Sequence, residues 1–96
     1  MERKANITLE TIIRRNPGMV TSKLDDEIVM MSIENGEYYG LDEIGSRIWE
    51  LIEAPVSINK LIETLMDEFE VEHSECENDT IEFVDELLTK HLLILA

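Results

Sequence analysis

The chain has 96 residues, enough for one domain, and 44% of them are hydrophobic, enough for a single core. Eight Lys and Arg stand against 22 Asp and Glu, a net charge of −14 that argues against nucleic acid and anionic membranes, since both are bound through cationic side chains. The single cysteine, Cys76, can form no internal disulfide, and no apolar run reaches the ~20 residues of a membrane span or resembles a signal-peptide core. A soluble cytoplasmic protein is expected.

In chain order, the first segment is ambiguous. Ile7, Leu9 and Ile13 alternate with polar residues as in a half-buried strand, but Ile12 breaks the pattern. Residues 1–16 are therefore read as an arm or an extra strand. Asn16-Pro17-Gly18 then punctuates the chain, and residues 17–96 are read as the main domain.

Three strand-like runs follow. Met19 to Leu24 is the first, and Asp25-Asp26 turns it into the second, Glu27 to Ile33, which is apolar on both faces as a central strand would be. Asn35-Gly36 has the chemistry of a two-residue hairpin turn. It leads to the third run, Glu37 to Leu41, which has only one hairpin neighbour and so an outer edge open to pairing.

From Asp42 the period becomes helical. Asp42 can cap a first helix bearing Ile44, Ile48, Trp49, Leu51 and Ile52, and Gly45 inside it requires a reason such as close backbone packing. After Ala54-Pro55-Val56, Ser57 can cap a second helix whose Ile58, Leu61, Ile62, Leu65, Met66 and Phe69 form one stripe. Ser74 and Glu77 suggest a capping box for a third helix. That helix carries two apolar stripes. Both can be core, or Phe83 and Leu87 enter the core while Ile81, Val84 and Leu88 line a groove beside the third strand. The apolar tail from His91 to Leu95 must cover something.

Charge is unevenly spread. Residues 1–23 hold five basic groups against Glu2 and Glu10, whereas Leu61 to Leu88 holds eleven acidic groups and no Lys or Arg. Such a run is either a solvated face or a surface that steers a basic partner. Catalytic chemistry is hard to assemble. Cys76 three residues after His73 lacks an orienting third group, and His73, Cys76 and His91 lack the paired spacing of a zinc site. No catalytic residue, metal or cofactor is expected. The fold expected is α+β and winged helix-turn-helix-like, a three-stranded antiparallel sheet followed by three helices. The acidic third helix is unsuited to reading DNA.

The stretch Asn35-Gly36-Glu37-Tyr38-Tyr39-Gly40-Leu41-Asp42-Glu43-Ile44-Gly45-Ser46-Arg47-Ile48-Trp49 resembles the signature of the PqqD-like family, the recognition element of ribosomally made, post-translationally modified peptides (RiPPs). The resemblance runs from about Pro17 to Leu93. It implies a winged-helix-like domain that binds the leader of a precursor peptide as a strand added to the third strand, with leader side chains packed against the third helix. Carried over by residue, Glu37, Tyr38, Tyr39, Gly40 and Leu41 supply the pairing edge, and Ile81, Val84 and Leu88 the groove. Asp85 stands at the groove's rim, and Tyr39 and Leu41 are core. A stand-alone protein of this kind resembles the leader-binding partner of lasso-peptide pathways, which presents the precursor to a separate cysteine leader peptidase. The alternatives are the recognition partner of a radical-SAM enzyme, as in pyrroloquinoline quinone or sactipeptide pathways, and an acidic winged-helix regulator that binds protein. The residues leave the oligomeric state open.

Overall fold

The computed structural model describes residues 7–25, 27–34 and 36–96. Residues 1–6, Asp26 and Asn35, and with them part of the charge count above, lie outside the described residues. Strands β2 (Met19–Leu24), β3 (Glu27–Ser32) and β4 (Glu37–Leu41) form one antiparallel sheet in the order β2-β3-β4. Its register pairs Val20 with Met31, Met31 with Tyr38, and Ile28 with Leu41. Because side chains alternate across a strand, Ile28, Met30 and Ser32 all point inward and are buried. Between β2 and β3, Asp25 adopts a positive φ of 58°, a conformation that Asp tolerates better than most residues.

The expected two-residue hairpin between β3 and β4 is corrected to a four-residue connection. Ser32 pairs with Glu37, the Gly36 N–H donates to the Ser32 carbonyl at 2.7 Å, and Gly36 takes φ +69°. Ile33 thus leaves the strand and is 65% exposed.

Three helices follow: α1 (Glu43–Leu51), α2 (Ile58–Glu68) and α3 (His73–Thr89). The first two begin where the sequence places their caps. Asp42 Oδ1 accepts from the Gly45 N–H at 2.8 Å, and Ser57 Oγ from the Lys60 N–H at 3.1 Å, each satisfying an otherwise unpaired first-turn donor. The capping box expected from Ser74 is corrected. Glu72 is the N-cap without a side-chain bond, and Ser74, already helical, donates to the Glu72 carboxylate at 3.0 Å. At the other end of α3, His91 takes φ +63°, with the Leu92 N–H on the Leu87 carbonyl and the His91 N–H on that of Leu88. This Schellman turn swings the tail back over the core.

The segment left open at the N-terminus is a strand, β1 (Ile12–Arg15). It lies between β5 (Val56–Ser57) and β6 (Leu93–Leu95) in a second antiparallel sheet. The α+β fold expected, a three-stranded antiparallel sheet followed by three helices, is present, and β1, β5 and β6, short strands without long alternating patterns, add a second sheet to it. The tail pays out its apolar content here: Leu92 and Leu93 are buried against Ile13 and the helices. Trp49 lies in this core, with the Arg15 guanidinium 5.1 Å from its ring centroid and Arg15 Nε donating to the Trp49 carbonyl at 2.9 Å. On the surface, Arg47 bridges Glu68 at 2.7 Å and Glu50 at 3.2 Å, and Lys23 reaches Glu50 at 3.2 Å, linking β2, α1 and α2. The hydrogen bonds from Lys23 and Arg47 hold the Glu50 carboxyl below its usual range, and that from Arg47 does the same to Glu68.

Adjacent residues of β1 test this arrangement. Ile13 is wholly buried and Ile12 is 44% exposed. Ile13→Ala should cost about 2–5 kcal/mol in urea unfolding, and Ile12→Ala within about 0.5 kcal/mol of none. Equal losses would show that β1 does not hold this register.

Candidate functional site

The site is built where β4 passes into α1 alongside α3. Strand β4 is the outer strand of its sheet, with no further strand beside it among the described residues. Such an edge presents backbone N–H and C=O groups that another extended chain can pair with. Tyr38 stands on the outer face, 73% exposed, while Leu41 is buried and Tyr39 is half-buried against the core. The Tyr39 hydroxyl donates to Glu37 at 2.7 Å, and Lys90 Nζ sits 5.4 Å from the centroid of its ring. The end of α3 is thereby laid against the start of β4.

The other end of β4 is fixed by buried polar contacts. Ser46 Oγ accepts from the Ile28 N–H at 2.9 Å and donates to the Leu41 carbonyl at 3.2 Å, tying α1 to two strands at once. Gly45, one residue earlier, faces α3. A Cβ there would stand 3.2 Å from Phe83 Cζ and 3.1 Å from Asp42 Oδ1. The close packing expected of this helical glycine is thus a contact with the Phe83 ring, and α3 runs along β4 from Lys90 at Tyr39 to Phe83 at Gly45.

These contacts put Phe83 and Lys90 on the flank of α3 that meets Gly45 and Tyr39. At ~100° per residue, Phe83 and Lys90 lie within about 20° of one another, while Ile81, Asp85 and Leu88 lie about 140–160° away from Phe83. The residues expected in the groove, Ile81, Val84, Asp85 and Leu88, take these positions. Val84 is wholly buried with Cys76, Thr80 and Leu87, so it belongs to the core. Ile81 and Leu88 pack on the core from the far flank, and Asp85 is half-buried there, with Oδ1 shielded and without a hydrogen-bond partner among the described residues. Phe83, expected in the core, packs on it half-buried and stands against Gly45 at the start of α1.

Two depressions mark this flank. One, of about 640 Å³, is lined by Glu37, Tyr38, Tyr39, Thr89, Lys90 and His91. The other, of about 600 Å³, lies between the start of α1, the end of α2 and α3. Its apolar walls include Ile44, Ile48, Leu65, Phe69, Val71 and Phe83, and its acidic groups are Asp42, Glu75, Asp79, Glu82 and Glu86. No Lys, Arg or His lines it. Cys76 is buried in its wall, its sulfur 3.9 Å from Thr80 Oγ1, while the exposed His73 lies 3.9 Å from Glu77 and His91 is exposed at the far end of α3. Among the described residues, no group of three or more His, Cys, Asp or Glu is placed to hold a metal, and no helix is long and apolar enough to cross a membrane.

The PqqD family model, "Coenzyme PQQ synthesis protein D (PqqD)", matches residues 27–93, which span β3 to the start of β6. The chain belongs to the PqqD family. It is a PqqD-like recognition element whose matched region contains β4, Gly45 and α3. Among solved structures it is similar to TbiB1 in complex with the TbiA(beta) leader peptide, at 32% identity over 83% of this chain and 93% of that one, with a TM-score of 0.78. It is also similar in fold to a lasso peptide synthetase B1 complexed with the leader peptide, at 23% identity over 85% of this chain and 96% of that one, with a TM-score of 0.75. A search of curated proteins gives no match.

The Gly45 contact yields a test of the wall. Gly45→Val should lower stability by about 1–3 kcal/mol through overpacking, and Phe83→Ala in the same chain should recover part of that loss. Strictly additive losses in the double-mutant cycle would contradict the contact.

Proposed function

We propose that this protein is a non-catalytic leader-binding element of lasso-peptide biosynthesis, which captures a ribosomal precursor and presents it to a separate leader peptidase. The observation that carries this reading is the uncovered edge of β4 beside the Phe83 flank of α3, in a chain 32% identical to one solved with a leader peptide. The leader adds as a further antiparallel or parallel strand along Glu37, Tyr38, Tyr39, Gly40 and Leu41. Backbone pairing is indifferent to sequence and supplies affinity, while side chains on alternate positions enter the space against α3 and supply selectivity. Phe83, Glu86 and Lys90 replace Ile81, Val84, Asp85 and Leu88 as the residues that meet them.

Tyr39 and Leu41 act indirectly, by seating β4 on the core so that its edge is held straight. Ordering the edge in advance reduces the entropy lost when the peptide docks. The chemistry, leader cleavage and ring closure, then falls to other proteins. A second reading, the recognition partner of a radical-SAM enzyme, draws on the family's description as a coenzyme PQQ synthesis protein. The residues of the β4 edge would serve either pathway.

Binding of the cognate leader, followed by fluorescence anisotropy, tests this. Phe83→Ser should weaken the leader by at least about tenfold, as loss of a buried aromatic anchor commonly does, with the helical signal in circular dichroism retained. Ile81→Ser, on the far flank, should leave affinity within about twofold, a change under ~0.5 kcal/mol. The reverse ranking would return the groove to the Ile81 flank, and no leader binding by the wild-type chain would overturn the reading.

A further inference from the structure

The acidic cleft between α1, α2 and α3 continues the β4 edge, and its chemistry goes beyond an apolar seat for a leader side chain. Asp42 directly follows Leu41, the last residue of β4, Gly45 comes three residues after that, and both line the cleft. A peptide paired along β4 therefore runs out over it. The floor is apolar and includes the partly exposed Ile44 and the half-buried Phe83. At about 600 Å³ the cleft lies within the ~300–1,000 Å³ range of ligand pockets.

The rim is charged on one side only. Of its five carboxylates, Asp42 is spent on capping α1, and Glu86 pairs with Lys90 at 3.2 Å. Glu75, Asp79 and Glu82 have no ion pair among the described residues. All three are exposed on α3 and open to a cationic partner. An apolar floor inside an anionic rim complements one kind of peptide segment, an apolar side chain flanked by Lys or Arg. A neutral apolar segment would fill the floor but leave the rim's self-repulsion unrelieved, and an acidic one would add to it.

We infer that the cleft is a specificity subsite for a cationic stretch of the bound peptide, an aliphatic or aromatic residue seated on Ile44 and Phe83 with a basic residue beside Asp79 and Glu82. This inference rests on the leader-binding reading and deepens it, since it names the chemistry of the leader where it leaves β4. The charge order along the groove follows. The segment over the Tyr39 end meets Lys90 and His91 together with Glu37, whereas beyond Leu41 the charged groups that line the cleft among the described residues are all carboxylates.

The probe is a phage-displayed library of random dodecapeptides selected on the intact wild-type chain and, in parallel, on Asp79→Lys/Glu82→Lys. Both positions are exposed, and an unchanged urea midpoint confirms that the variant folds. The inference expects peptides selected on the wild type to carry Lys or Arg next to an apolar residue, to compete with the cognate leader, and to lose at least about tenfold affinity on the variant. Selection on the variant should favour Asp or Glu at the same position. Competing peptides without charge bias, or with the same bias on both chains, would overturn the subsite and leave the leader reading standing. Basic peptides that bind without competing would detach the cleft from the leader path and overturn the inference. A wild-type chain that binds no leader in the same competition assay would instead overturn the leader reading itself.

Discussion

The geometry of this protein depends on how closely α3 can approach the junction of β4 and α1. That approach is possible because position 45 has no side chain: a Cβ there would stand 3.2 Å from the Phe83 ring, closer than such atoms ordinarily pack. Ser46, the next residue, holds the junction from the other side by bonding both β3 and β4 through one buried hydroxyl. With the strand pinned at Leu41 and steadied at Tyr39 by Lys90, α3 has one course left, alongside the outer edge of the sheet. The space between strand and helix is bounded at both ends by these contacts and open to solvent along the edge.

Division of labour along α3 follows from this placement. The stripe of Cys76, Thr80, Val84 and Leu87 is consumed by the core, which a chain of this size needs to bury the roughly 60–70% of its unfolded surface that folding covers. What faces β4 is the margin of that stripe, an aromatic wall bordered by carboxylates and ended by a lysine. A binding edge of this kind draws affinity from backbone pairing and selectivity from the margin. It asks for no buried reactive group, and the thiol of Cys76 is packed beside Thr80. The net charge of −14 acquires a location as well as a size, since the carboxylates along the cleft form one wall of the groove.

Much of this was legible in the sequence, and the failures share a cause. Strands β2, β3 and β4 and the caps at Asp42 and Ser57 rest on local chemistry, alternation and first-turn hydrogen bonding, which a sequence displays directly. Strands β1, β5 and β6 are two to four residues long and exist through pairing with distant segments, so no local pattern announces them. For α3, periodicity identified a wide apolar arc but not which of its two flanks the strand would meet. Periodicity therefore leaves two readings open, both stripes in the core, or Phe83 and Leu87 in the core with Ile81, Val84 and Leu88 along a groove. The signal that could have decided it was present in Gly45, because a glycine inside a helix asks for a close neighbour, and a large flat ring on the marginal position of α3 is the natural one.

The central claim is that β4 accepts a leader as an added strand. In an extended peptide paired on one side, only alternate residues turn their N–H toward the neighbouring strand. Backbone N-methylation, scanned one residue at a time through the cognate leader, removes one such donor per peptide while keeping the side chains. Titration of each peptide against this protein should show affinity falling at every second position across the paired segment and little changed between them. A loss recurring every third or fourth position, as for a leader bound as a helix, or no positional pattern at all, would contradict strand addition at β4.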